Sequence, residues 1–157
     1  MPPESESIVI RPIGVVRNAV AGAKYGSWED VTSQLVLRPE YAQALTGIEE
    51  FSHVEVVLWF DRSHAPDEPL IHPRDRADLP LVGYLATRTP NRPNPLGITV
   101  ARLVAREGNV LTVQGLDAFD GTPIVDLKPY IPRPDLVQAA RVPDWLRRVN
   151  APGDSGQ

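Results

Sequence analysis

Cysteine is absent from all 157 positions. That absence excludes a disulfide framework, a thiolate nucleophile and any Cys-based zinc site, and it fits a reducing compartment. No apolar run reaches eighteen residues, and the opening MPPESESIV is acidic and proline-bearing, unlike a signal peptide. A soluble, cytoplasmic protein without membrane contact is expected. Common site signatures are missing too: no GxGxxG follows a first strand, and GxxxxGK[ST], HExxH and GxSxG do not occur. Ordinary nucleotide-binding, zinc-protease and serine-hydrolase readings therefore lack their physical anchors. His53, His64 and His72 are spaced by eleven and eight residues, not by a helical turn. No metal site is expected from them, since loop histidines are usually solvated.

What is present is proline, at 17 positions, and a charge asymmetry hidden in a net charge of −4. Residues 1–80 hold 7 Lys and Arg against 13 Asp and Glu, a net of −6, whereas residues 81–157 hold 9 against 7, a net of +2. The sum argues against a uniformly basic nucleic-acid surface. The second half is compatible with a local anionic-ligand or RNA-facing patch, or with arginines scattered over the surface.

Hydrophobic periodicity is two for most of the chain. Segments 8–17, 31–37, 54–60, 81–87, 98–106 and 110–116 are short, β-branched and bounded by Gly, Pro, Asn or Asp, so they read as strands. Glu107–Gly108–Asn109 is a tight hairpin signal that makes the last two antiparallel neighbours. Pro39–Thr46, stopped by Gly47, is the best helix candidate, and Asp144–Val149 is a second short one. An all-β fold with short helices follows, either an antiparallel barrel or a strongly curved sheet. At this length one domain is expected, over residues 8–150, with flexible tails at 1–7 and 151–157.

Two polar segments stand apart from the strands. In ATRTPNRPNPLG, residues 86–97, Pro90, Pro93 and Pro95 fix φ and remove amide donors, so the backbone must run as a rigid extended loop carrying Arg88, Arg92, Asn91 and Asn94. In GLDAFDGTPIVDLKPYIP, residues 115–132, three carboxylates (Asp117, Asp120, Asp126) accompany Lys128 and Tyr130. Two stiff, polar segments this close in sequence suggest one pocket.

These blocks, with PIGVVRN (12–18), GSW (26–28), PEYAQALTGIEEFSH (39–53) and FSHVEVVLWF (51–60), occur in one order over roughly residues 10–133. In that pattern the chain resembles the TrmO family, also called TsaA-like. The resemblance implies a single-sheet antiparallel β-barrel, a homodimer and an S-adenosyl-L-methionine-dependent methyltransferase that modifies N6 of threonylcarbamoyl-adenosine beside the anticodon of tRNA. It implies cofactor contacts at Lys24, Tyr25, Gly26, Phe60, Asp61, Arg88, Ile98, Gln114, Gly115, Leu116 and Asp117. Arg88 suits the cofactor carboxylate, Asp117 a ribose diol or ammonium, and the backbone of 114–116 the adenine edge. Arg92 and Asn94 are expected to bind substrate, and Asp126, Lys128 and Tyr130 to assist proton removal or acceptor positioning. The apolar, Trp-bearing segment Val142–Val149 is the expected dimer contact.

Plainer roles stand beside these. Lys24 and Tyr25 fit exposed loop positions, Phe60 fits a core, Arg88 fits a tether for loop carbonyls, and Asp120 before Gly121 fits a turn. Asp126 and Lys128, two apart on an extended segment, share a face and can pair with each other. One position departs from the family's tendency, Asp61 where Phe-His is usual, and it changes charge and proton affinity there. A small-molecule methyl acceptor, or a sensor that only binds the cofactor, therefore remains an alternative to the tRNA substrate.

Overall fold

Period-two patterning lets a sheet bury one face and, when long enough, close on itself. The computed structural model describes residues 7–22 and 27–149. Its strands are β1 (Gly14–Arg17), β2 (Thr32–Leu37), β3 (His53–Trp59), β4 (Leu70–Ile71), β5 (Val82–Gly83), β6 (Leu96–Glu107), β7 (Val110–Gln114) and β8 (Pro123–Pro129). Six of them form a closed antiparallel barrel in the order β1-β2-β7-β6-β3-β8, with β8 returning to β1. Strands β4 and β5 pair separately as a two-stranded ribbon. Closure leaves the barrel no free edge to template aggregation.

The core is the barrel interior. Along β3, Val54, Val56 and Leu58 point inward and are wholly buried, joined by Val16, Leu35, Leu111, Val113, Leu116 and Ile124. The residues between them on β3 face out, as the alternation requires. The 107–109 hairpin forms as its residues demand: Glu107 pairs with Val110, and Gly108 takes a positive φ of 60° that a side chain would resist. Asn109 donates its Nδ2 to the Leu37 carbonyl at 2.5 Å, tying the hairpin to β2.

Four local expectations change in three dimensions. The strand expected over 8–17 starts only at Gly14, because Pro12 interrupts the ladder, and Ile8 and Val9 are exposed. The segment 81–87 contributes just Val82–Gly83 to the ribbon and then a 3₁₀ turn at Tyr84–Ala86. Pro39–Thr46 is not one helix but two single 3₁₀ turns, Pro39–Tyr41 and Gln43–Leu45. The backbone here closes i→i+3 bonds, such as Ala42 N–H to the Pro39 carbonyl at 3.1 Å, and Arg106 donates to the carbonyls of Ala42 at 2.8 Å and Leu45 at 3.1 Å. The polar segment 115–132 contains a central barrel strand, β8, that pairs with both β1 and β3. Its prolines sit at the strand's two ends, where a missing amide donor is tolerated.

Two short helices follow the barrel, α1 (Pro132–Asp135) and α2 (Asp144–Val149), the second where the sequence expects it. Within α2 Trp145 is half-buried and Val149 buried, with Arg74 of the ribbon connection reaching the Val149 carbonyl at 3.5 Å. This segment therefore packs partly on its own chain, leaving less of it for a dimer contact. Among the described residues, no helix is long and apolar enough to cross a membrane.

Candidate active site

A cavity of about 190 Å³ opens at the barrel end where β3 stops. Phe60, Asp61, Arg62 and Ser63 leave β3 along one side, Asp117 to Phe119 and Thr122 come from the β7–β8 connection, and Arg88 and Pro90 come from the proline loop, with Trp28 closing it. The two stiff segments thus meet in one cleft.

Asn18, one residue beyond β1, holds the β7–β8 connection in place. Its Nδ2 donates to the Ala118 carbonyl at 2.8 Å and to the buried Ser33 hydroxyl at 3.0 Å, while its Oδ1 accepts the Val20 amide at 2.9 Å. Its own amide donates to Asp120 Oδ1 at 3.0 Å, so Asp120 is a turn residue here. Arg62 adds a second clasp, donating to the carbonyls of Ala21 at 2.8 Å and Asp120 at 3.2 Å.

Phe60 sits where it does because position 97 has no side chain. A Cβ on Gly97 would run into the Phe60 ring, and the Phe60 amide extends the β3–β6 ladder by donating to Pro95 at 2.8 Å. Trp28 and Phe119 pack ring to ring with centroids 5.8 Å apart. The cleft is therefore walled by three aromatic rings.

The proline loop is knitted from within. Arg92 donates Nη1 to the carbonyls of Thr87 and Thr89, both at 3.2 Å, and the Thr87 hydroxyl donates to Tyr84 at 2.8 Å. Arg88 donates Nη2 to the Ile98 carbonyl at 2.7 Å, which sets its guanidinium at the cleft.

Of the expected cofactor residues, Phe60, Asp61, Arg88 and Asp117 come together in the cavity. Ile98 takes part through its carbonyl, its side chain facing outward. Gln114 accepts a hydrogen bond from Arg102 at 2.7 Å, and Leu116 is wholly buried in the core. Gly115 turns the chain out of β7 at a φ of 85°. Lys24, Tyr25 and Gly26 lie outside the described residues. Asn94 is exposed beside Arg92, and neither lines the cavity.

Asp126, Lys128 and Tyr130 are not brought to the cleft. Asp126 and Lys128 pair with each other at 2.8 Å on the outer face of β8, opposite Val57 and Glu55 of β3. That partnership, with Glu55 adding to it, raises the proton affinity of the Lys128 amine. Tyr130 stands edge-on to His53, at the other end of β3 from Phe60.

Charge within the cleft is unevenly engaged. Both guanidiniums, Arg62 and Arg88, are held by backbone carbonyls. Neither the Asp61 nor the Asp117 carboxylate has a hydrogen bond or ion pair among the described residues. Removal of water around Asp117 raises its carboxyl above the usual range, while Arg88 pulls the other way. Asn18, Trp28, Arg62 and Phe119 carry much of this site without having been assigned a role from sequence. Asn18 and Trp28 do fall in the PIGVVRN and GSW blocks, which marked their places but not their contacts.

A family model described as the tRNA-methyltransferase O N-terminal domain matches residues 23–136. The chain is 36% identical over 149 residues to a probable S-adenosyl-L-methionine-binding protein of Pyrococcus abyssi, an alignment covering 90% of this chain and 77% of that protein. It is 40% identical over 114 residues to the tRNA (adenine(37)-N6)-methyltransferase of Mus musculus, covering 72% of this chain and 26% of the mouse protein. The crystal structure of TrmO from Pseudomonas aeruginosa superposes with a TM-score of 0.74 at 31% identity, over 91% of this chain and 63% of that one. The chain thus spans about a quarter of the mouse protein's length and under two thirds of the Pseudomonas chain. In barrel topology, matched segments and sequence identity alike, it belongs to the family of the tRNA-methyltransferase O N-terminal domain.

Proposed function

We propose that the chain binds S-adenosyl-L-methionine in the cleft and transfers its methyl group to N6 of a threonylcarbamoyl-adenosine beside a tRNA anticodon. The observation that carries this reading is the convergence at one barrel end of aromatic walls, Arg88 and two carboxylates that accept no hydrogen bond among the described residues. That donor set fits an adenine, a ribose diol or ammonium, and a carboxylate. The names of relatives agree: the mammalian ones are methyltransferases of adenine 37 in tRNA, and archaeal ones are named for binding the cofactor. Bound there, the cofactor supplies a methyl on a sulfonium, open to in-line attack by nitrogen. Phe60 and the Trp28–Phe119 pair would exclude water from a ring held in the cleft, and Arg88, fixed by the Ile98 carbonyl, would orient a carboxylate.

At about 190 Å³ the cavity is smaller than the roughly 300 Å³ lower bound of ordinary small-molecule sites, so a ligand of this size must also lie against surface beyond it. We take the second surface to be another copy of the chain. The outer face of β6 presents Leu96, Ile98 and Val100 in a row, exposed and apolar, beside the Asp126–Lys128 pair across β3. In such a homodimer Asp126, Lys128 and Tyr130 serve as groups that one copy offers to the other's cleft. Residues 8–150 act in this reading as one domain, working on tRNA in the cytoplasm.

The test incubates the protein with labelled cofactor and tRNA with or without threonylcarbamoyl-adenosine. Transfer to the modified tRNA alone is expected, because the carbamoyl group acidifies N6–H and adds a carboxylate. Transfer to neither, with normal cofactor binding, overturns it in favour of a sensor or a small-molecule acceptor. The distance of Asp126, Lys128 and Tyr130 from the cleft in one copy is the observation that favours the sensor.

A further inference from the structure

The charged groups at the cleft divide into two classes. Its cations, Arg62 and Arg88, spend hydrogen bonds on the carbonyls of Ala21, Asp120 and Ile98, whose dipoles offset part of their charge. Its anions, Asp61 and Asp117, receive no donor among the described residues. Aromatic faces add to the imbalance, because the ring quadrupole of Phe60, Trp28 or Phe119 attracts a cation. Arg88 still acts on Asp117 through space, so Asp61 is the carboxylate left most open to a ligand's positive charge. Burial makes Asp117 hold its proton more tightly than a free aspartate, and Arg88 partly offsets that.

We propose that Asp61, with Asp117, makes the cleft select the positively charged sulfonium form of the cofactor over the neutral thioether left after methyl transfer. The inference rests on the reading of the cleft as a cofactor site. During transfer the attacking nitrogen forms its bond to the methyl carbon, the carbon–sulfur pair stays on sulfur, and the acceptor's proton goes to water or a base. Sulfur thereby passes from positive to neutral while adenine, ribose, ammonium and carboxylate are unchanged. A carboxylate that feels the sulfur holds the reactant and lets go of the product, which keeps product from blocking the site. A carboxylate that feels only the ammonium cannot tell the two apart.

Titration calorimetry with S-adenosylmethionine and S-adenosylhomocysteine, on wild type, Asp61→Asn, Asp117→Asn and the double variant, separates these cases. Asp61 is exposed and Asn has its shape, so folding is preserved, and a melting curve checks it. Asp61→Asn is expected to weaken the sulfonium ligand about three- to tenfold while the thioether shifts less than about twofold, as for a partly solvated charge pair. The double variant loses more of the preference, and added salt reduces the sulfonium affinity of wild type more than its thioether affinity. A parallel fall in both affinities, or an unchanged ratio, overturns the proposal while leaving the cofactor reading intact. Wild type that binds neither ligand overturns the cofactor reading and this proposal with it.

Discussion

The Phe60 ring occupies the space that a side chain on Gly97 would need, so the wall of the cleft depends on a glycine in the neighbouring strand. Gly97→Ala therefore displaces the ring or strains the β3–β6 pair. A stability loss of about 1–3 kcal/mol is expected, the usual cost of overpacking. Denaturant unfolding measures it, and unchanged stability together with unchanged cofactor affinity would show that the ring moves freely.

Asn18 binds three partners with one side chain, including a hydroxyl in the core. Asn18→Ala leaves the Ser33 hydroxyl and the Ala118 carbonyl without that donor. The expected loss is about 2–3 kcal/mol. Cofactor affinity should fall as well, because the 117–119 edge of the cleft loses its anchor. Melting and calorimetry on the same preparation test both effects.

For Arg88→Ala, cofactor affinity is expected to drop about ten- to a hundredfold, the loss of one charge-assisted hydrogen bond. The Ile98 carbonyl also loses its donor. Stability must therefore be read separately. Equal affinity in variant and wild type would leave Arg88 only its tether.

Asp117 gives a pH dependence of definite sign. Its folded-state proton affinity is raised, so the native state binds that proton more tightly than the unfolded chain. Stability from this group is thus lost as pH rises from the ordinary aspartate range through the raised value, and the cost stays above it. Asp117→Asn should melt about 1–2 °C higher than wild type near neutrality, a small shift because the group is partly solvated. The gap should close in acid, where the wild-type carboxyl is protonated. A variant that melts lower at pH 7 would refute the assignment. The same variant should bind the cofactor less well, so stability and affinity move in opposite directions.

In the proposed homodimer the contact would use Ile98 and Val100, 48% and 44% exposed on the outer face of β6. Light scattering at micromolar concentration should give twice the 17.3 kDa chain mass. Val100→Glu should halve it, since a charge in the middle of an apolar contact is costly to bury. A monomeric wild type would leave the cleft to be completed by other means.

Much of the barrel is legible in the order of its residues. Alternation in 54–60 and 110–116 marked which residues face the core, because β side chains repeat every two positions and one face must be dry. The Gly108 turn was legible for a local reason, its φ, and so was the stiffness of the proline loop. What failed locally was decided by partners distant in sequence. Segment 39–46 broke into 3₁₀ turns under Arg106, some sixty residues away, and β8 became a central strand because β1 and β3 both needed a neighbour.

The same division runs through the candidate site. By itself, the sequence determined that two rigid polar segments exist, that Arg88 and Asp117 sit on them, and that the chain resembles one particular family. Only the tertiary structure decided that Asn18 is the knot, that Gly97 makes room for Phe60, and that Asp126, Lys128 and Tyr130 lie away from the cleft in a single copy. Backbone restriction and alternation act between near neighbours and can be read along the chain. Which side chains share a cleft depends on barrel closure, which brings residues about a hundred positions apart, such as Asn18 and Ala118, within hydrogen-bond distance.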